Sequence, residues 1–107
     1  MDYSKFIQRQ KVWSLKTFGE GERTEGILKH ISTELAEVLR APTNEEKLEE
    51  CVDIIILASD MAWRLGFDPD DIEFKLLEKQ IENMKRKWPD RSISEANQDK
   101  PTYHIKE

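Results

Sequence analysis

Between Thr43 and Gly66 the chain carries neither glycine nor proline, and almost every face of that stretch is apolar. Leu48, Cys51, Val52, Ile55, Ala58, Ala62 and Leu65 form one helical stripe, while Ile54, Ile56, Leu57, Met61 and Trp63 add apolar side chains around the rest. A helix apolar nearly all round must be covered nearly all round. With 107 residues there is room for one domain, and so short a domain buries a modest share of its surface. Part of the cover is therefore expected from a second subunit; a central helix in a single bundle is the alternative.

The remaining punctuation is sparse, with four glycines and four prolines that divide the chain cleanly. No segment alternates apolar and polar residues for long, so strands are not expected. A first helix is predicted from about Tyr3 to Thr17, followed by a loop marked by Gly19, Gly21 and Gly26. A second runs from about Thr24 to Arg40, with Ile27, Leu28, Ile31, Leu35, Val38 and Leu39 at helical spacing and Pro42 as its stop. Thr43 and Glu46 form a capping-box signature for the third helix, which ends at Leu65 with Gly66 in the C′ place. Asp68 as N-cap, Pro69 at N1 and the acids Asp70 and Asp71 start a fourth. Its apolar members are Ile72, Leu76, Ile81, Met84 and Trp88, before Pro89. Residues 91–107 read as a polar, aperiodic tail, mobile or docked on a neighbour, after a helical domain over residues 1–90.

Composition narrows the function classes. Twenty-two acidic residues against 17 basic ones argue against a nucleic-acid surface. They leave room for a phosphorylated small molecule, because metal ions supply the positive charge such a ligand needs. Cys51 is the only cysteine, so no intramolecular disulfide exists. The stretch Met1 to Trp13 lacks a signal-peptide apolar run, and the longest apolar stretch, Ile54 to Ser59, is far short of a membrane span. A soluble cytoplasmic protein with no membrane partner is the expectation.

Two acidic pairs carry the chemistry. Glu34 with Glu37, and Glu50 with Asp53, are each three residues apart, which places both side chains on one helix face roughly 5–6 Å apart at Cβ. The short connection between their helices makes them antiparallel neighbours. At a rise of roughly 1.5 Å per residue, Glu34 and Glu50 come level, and the four carboxylates line a strip about 9 Å long. Such a cluster repels itself when empty. Hard oxygen ligands at this density suit Mg²⁺ or Mn²⁺, which also bind phosphates. The competing reading is a solvated acidic face. Asp53 weighs against it, since Ile54, Ile55, Ile56 and Leu57 follow directly and an unpaired buried carboxylate is costly. Lys79 or Arg86 as a neutralising partner is the structural alternative.

On the fourth helix Lys79, Asn83 and Arg86 share a face and are candidate phosphate contacts; a solvated basic face is the competing reading. His30 lies one turn before Glu34. The glycine loop lacks the Gly-Lys-Ser/Thr ending of a P-loop, and no Glu-x-x-His pair supports a di-iron bundle.

Taken together, Arg9-Gln-x-x-Trp13-Ser, Thr17-Phe-Gly-Glu-Gly-x-Arg-Thr-x-Gly26, His30-Ile-x-x-Glu-Leu-x-Glu37, Glu50-x-x-Asp53, Ala62-Trp-Arg-x-Gly66 and Lys79-x-x-x-Asn83-x-x-Arg86-x-Trp88-Pro89 resemble the MazG-like all-α NTP pyrophosphohydrolases. Within that group the chain is most similar to the dATP/dGTP diphosphohydrolase branch, which includes phage members of the MazZ type. The resemblance implies an oligomeric MazG-like four-helix bundle, a homodimer or homotetramer. It implies hydrolysis of a purine deoxynucleoside triphosphate to monophosphate and pyrophosphate, acting on the nucleotide pool of the cytoplasm, or of the host cytoplasm for a phage protein. It also implies that Glu34, Glu37, Glu50 and Asp53 hold two or more Mg²⁺ or Mn²⁺ ions, with one glutamate serving the attacking water, and that Lys79, Asn83 and Arg86 contact phosphates. Trp13 and Phe18, near Gln10 and the glycine-bearing loop, are candidates for the base-binding surface, with ordinary packing as their alternative; His30 is a candidate substrate contact, with a structural role as its alternative. Two other readings stay open: a MazG-like hydrolase of another nucleotide, such as dUTP or a damaged triphosphate, and a helical dimerisation module without activity.

Overall fold

Local signals place each helix boundary. A computed structural model of the chain describes residues 2–89 and 103–106, and within them the secondary structure is four α-helices and no strand. Helix α1 spans Tyr3–Phe18, capped by Asp2, whose carboxylate accepts from the Ser4 and Lys5 amides. It stops at Gly19, whose φ of 81° is open to glycine at little cost. Helix α2 spans Thr24–Arg40 and ends before Pro42. Helix α3 spans Asn44–Arg64. As the capping signature predicts, the Thr43 hydroxyl accepts from the Glu46 amide at 3.2 Å, and Gly66 takes the positive φ (102°) just past the end. Helix α4 spans Pro69–Lys85, with Pro69 at the first helical position. It ends short of Trp88, because the residue before Pro89 is pushed out of the helical region. No helix among the described residues is long and apolar enough to cross a membrane.

The chain divides into two units, Met1–Phe74 and Lys75–Glu107. In the first, α3 packs against α2 and against α1. The three-residue link Ala41–Thr43 makes α2 and α3 antiparallel neighbours. The centre of this unit is as polar as it is apolar. Ile7, Ile27 and Trp63 are buried, and so are Ser14, Glu34, Ser59 and Asp60. The Tyr3 hydroxyl meets Ser59 Oγ at 2.6 Å, while Ser59 donates to the Ile55 carbonyl.

The α3 stripe read from the sequence lies largely on the outside. Leu48, Cys51, Val52, Ile55, Ala58 and Leu65 are exposed, whereas Ile54, Ile56, Leu57, Met61 and Trp63 turn inward. Leu28, Leu35 and Leu39 on α2 are exposed as well. The inward face is the one carrying Asp60 and Trp63: Asp60 finds donors on α1, and the Trp63 indole donates to Asp60.

In the second unit Trp88 donates from its indole nitrogen to the Asn83 carbonyl, and the His104 ring meets Trp88 edge-on. The Ile105 amide donates to the Lys87 carbonyl. Of the tail read as mobile or docked, residues 91–102 and 107 lie outside the described residues.

Candidate active site

The antiparallel pairing of α2 and α3 brings the acids of both helices to one place. Glu34, Glu50 and Asp53 each offer a carboxylate oxygen such that the three atoms lie within 4.8 Å of one another. Glu37, one turn beyond Glu34, is close enough to hydrogen-bond with Glu34 and Glu50. The burial is distributed otherwise than the sequence implies. Asp53 is exposed, and Glu34 is the buried member at 8% exposure. Asp53 follows Ile56 and Leu57 around the helix onto the wall of an open pocket, so the apolar run beside it does not enclose it.

Oε2 of Glu34 and Oε2 of Glu50 are buried without a hydrogen-bond partner among the described residues. With all carboxyls ionised these oxygens face only other acceptors, which is costly. A proton on Glu50 relieves the conflict, since the acid then donates toward Glu34 and Glu37. Those two contacts, with burial and the neighbouring negative charges adding to them, push the Glu50 carboxyl up to about 8. Glu34 is held below its ordinary value, first by the hydrogen bond from Glu50, against the opposing effect of burial, and further by Glu37 and His30. His30 Nε2 stands 3.2 Å from Glu34 Oε1. A divalent cation relieves the same conflict without a proton, and an all-oxygen donor set of this spacing fits a hard cation.

The pocket that Glu34 and Asp53 line has a volume of about 350 Å³. Going from Glu34 toward the start of α2 and from Asp53 toward the end of α3, it passes His30, Ile27 and Leu57 and reaches Gln10, Trp13, Phe18, Arg23 and Asp60. Trp13 and Phe18 meet edge-on at 5.5 Å and both are about half exposed.

Asp60 closes this end. Its Oδ1 accepts from Trp63 Nε1 at 2.9 Å and from Gln10 Nε2 at 3.4 Å. Its Oδ2 accepts from Ser14 Oγ at 3.0 Å and from Arg64 Nε at 3.4 Å. The Arg64 side chain is 1% exposed. Its other nitrogens donate to Ser14 Oγ at 2.8 Å and to the carbonyl oxygens of Gly19 at 3.0 Å and Gly21 at 2.9 Å. One buried ion pair on α3 thus ties α1 to the glycine loop that walls the pocket. Sequence reasoning missed Ser14, Arg23, Asp60 and Arg64 as contributors. The available signal was Asp60 itself, a charge set among Leu57, Ala58, Met61 and Ala62 with an arginine four residues on.

Lys79, Asn83 and Arg86 belong to the second unit. Arg86 donates to Glu82 at 2.6 Å and to Asn83 Oδ1 at 3.1 Å, and Lys79 lies 3.8 Å from Glu82. Within that unit both basic groups are thus paired with Glu82.

A family model described as dATP/dGTP pyrophosphohydrolase matches residues 6–107. That span includes residues 91–107, for which the sequence motifs offered no counterpart. No curated protein and no solved structure matches the chain at a significant level.

Proposed function

The chain belongs to the dATP/dGTP pyrophosphohydrolase family, and from that premise we propose that it hydrolyses purine deoxynucleoside triphosphates between the α and β phosphates, with Mg²⁺ or Mn²⁺ as cofactor. The observation that carries the reading is the acidic cluster opening into a pocket whose far end is aromatic. Glu34, Glu37, Glu50 and Asp53 are the residues that would hold two or more ions. Bound there, divalent ions supply Lewis-acid polarisation of phosphate oxygens and a more acidic water.

The chain's own groups do the rest. Water oxygen bonds to the α-phosphorus, the bond from that phosphorus to the oxygen bridging to the β-phosphate breaks, and pyrophosphate leaves. A glutamate of the cluster accepts the proton that water gives up. Trp13 and Phe18 offer aromatic surface to a base, with Gln10 beside them. His30, hydrogen-bonded to Glu34, fixes that carboxylate's orientation. Lys79, Asn83 and Arg86 remain proposed phosphate contacts; Arg86 spends two of its five N–H donors on Glu82 and Asn83.

An oligomer is part of the proposal. Large apolar side chains are left exposed along α2 and α3, among them Leu35, Leu39, Leu48, Val52 and Ile55, the kind of surface that marks an interface where it is contiguous. A homodimer or homotetramer covers them.

The test is incubation with each deoxynucleoside triphosphate, and with dUTP and oxidised triphosphates, in Mg²⁺ and in Mn²⁺, with quantification of monophosphate, diphosphate, pyrophosphate and orthophosphate. Equal yields of monophosphate and pyrophosphate from dATP or dGTP are expected. Orthophosphate with diphosphate would place cleavage at the other bond, and no cleavage with either metal would leave a helical module without activity.

A further inference from the structure

We propose that Arg23 reads the acceptor edge of the base and makes guanine the preferred purine. The inference rests on the proposed pyrophosphohydrolase activity and names its substrate more closely.

The pocket has two chemically different ends. Asp53 and Asp60 are seven residues apart on α3, which sets the acid end and the aromatic end roughly 10 Å from each other. With the phosphates held at the acid end by the cations those acids would bind, the nucleoside is left with the end formed by Gln10, Trp13, Phe18 and Arg23. Arg23 is the cation there. Its guanidinium carbon sits 4.2 Å from the centroid of the Phe18 ring, a contact that holds a guanidinium in place by cation–π attraction. Asp60 attracts it from 4.0 Å, beyond hydrogen-bond reach.

Asp60 has no capacity left for it. A carboxylate offers about four lone-pair sites, and Asp60 already accepts from Gln10, Ser14, Trp63 and Arg64. Its charge is matched by the enclosed Arg64. Arg23 consequently has a surplus positive charge, and among the described residues none of its N–H groups donates a hydrogen bond to protein. Its side chain is 35% exposed, opening onto the pocket. A half-covered fork of donors, positioned by a ring and a distant carboxylate but unspent, is a recognition group.

The fork selects between purines by simple complementarity. Guanine carries two adjacent acceptors, O6 and N7, which match two parallel donors; adenine sets its N6 amino donor beside N7. An arginine facing that edge gains two hydrogen bonds from guanine, but from adenine one bond and one donor–donor conflict. Gln10 does not decide the matter. Its amide nitrogen is turned to Asp60 at 3.4 Å, which leaves it one acceptor oxygen and no bidentate edge to set against the arginine fork.

The experiment compares kcat/KM for dGTP, dATP and 7-deaza-dGTP in the wild type, Arg23→Gln and Arg23→Lys, with folding verified by thermal melting. Calorimetry of dGMP and dAMP binding without metal runs beside it. The wild type should favour dGTP over dATP by roughly tenfold or more, the usual scale of a good bidentate contact. Arg23→Gln should bring that ratio close to one. Loss of N7 in 7-deaza-dGTP should slow the wild type several-fold and leave Arg23→Gln indifferent. Arg23→Lys, which keeps the charge without the fork, should resemble Arg23→Gln; should the glutamine variant fail to fold, the lysine variant carries the comparison. Equal losses for both bases, with weaker inhibition by inorganic pyrophosphate, would assign Arg23 to the phosphate chain and overturn the proposal. An unchanged ratio would mark it as a solvated side chain. If the folded wild type cleaves no triphosphate, the activity reading falls; tighter binding of dGMP than dAMP, abolished by Arg23→Gln, would still support base reading by Arg23.

Discussion

Replacing Arg64 by Met tests the claim that one buried ion pair organises the pocket. Arg64 is 1% exposed and Asp60 4%, so the substitution leaves an enclosed carboxylate with only the part-exposed Arg23, 4.0 Å away, as a cation. Breaking a buried pair from one side typically costs ~3–5 kcal/mol. Asp60 keeps its bonds from Ser14, Trp63 and Gln10, which argues for the lower end of that range. The carbonyls of Gly19 and Gly21 lose a charged donor but recover water, a smaller loss. A total of about 3–4 kcal/mol follows, a large part of the ~5–15 kcal/mol that stabilises a typical domain. For a chain of this size that lowers the melting temperature by roughly 10–20 °C. The assay is urea and thermal unfolding of Arg64→Met, Asp60→Asn and the double variant, in chelator. The double variant carries neither charge, so its loss should fall short of the sum of the single losses by roughly 1–3 kcal/mol. A cost below ~1 kcal/mol for Arg64→Met, or additivity within ~0.5 kcal/mol, would refute the pairing. A folded Arg64→Met protein should also show a raised KM for the triphosphate, because the loop between Phe18 and Arg23 is no longer tied down at Gly19 and Gly21.

Asp53→Asn should cut turnover by at least ~100-fold, on the scale of losing a metal ligand, while the melting temperature in chelator stays equal or rises, as measured by circular dichroism; a marked fall would favour a structural ion pair. Glu50 supplies a pH signature. Its carboxyl is raised to about 8, so the stability it lends the metal-free protein is complete below the ordinary carboxylate range and is lost as pH climbs toward 8. Melting in chelator should therefore fall across that window in the wild type and fall less in Glu50→Gln. Calorimetric Mg²⁺ affinity should strengthen over the same window, since the proton on Glu50 must leave for a cation to bind. Sedimentation should give a dimer or tetramer rather than a 12.6 kDa species, and Leu35→Glu with Leu48→Glu should weaken it.

The parts legible in the sequence were those written within a few residues of each other. Thr43 and Glu46, Pro42, Gly66 and Pro69 fixed where helices begin and end, because caps and stops act through the nearest backbone groups. The three-residue spacing of Glu34 with Glu37 and of Glu50 with Asp53, joined by a short link, was enough to bring carboxylates from two helices together. Burial was not legible in the same way. The α3 helix is apolar on several sides, so its periodicity could not say which side α1 and α2 would cover. The side chosen is the one where Asp60 finds Ser14 and Gln10 on α1.

That choice follows from long-range pairing. Trp63 and Arg64 serve Asp60 from its own helix, but its remaining acceptor sites are filled only because α1 delivers donors from 46 and 50 positions away. Its saturation in turn leaves Arg23 unspent at the pocket mouth. A charge enclosed in protein takes its meaning from partners far off in the chain, and these the fold alone supplies. The helices and the spacing of the acids belong to the sequence, since backbone hydrogen bonds and helical pitch are local.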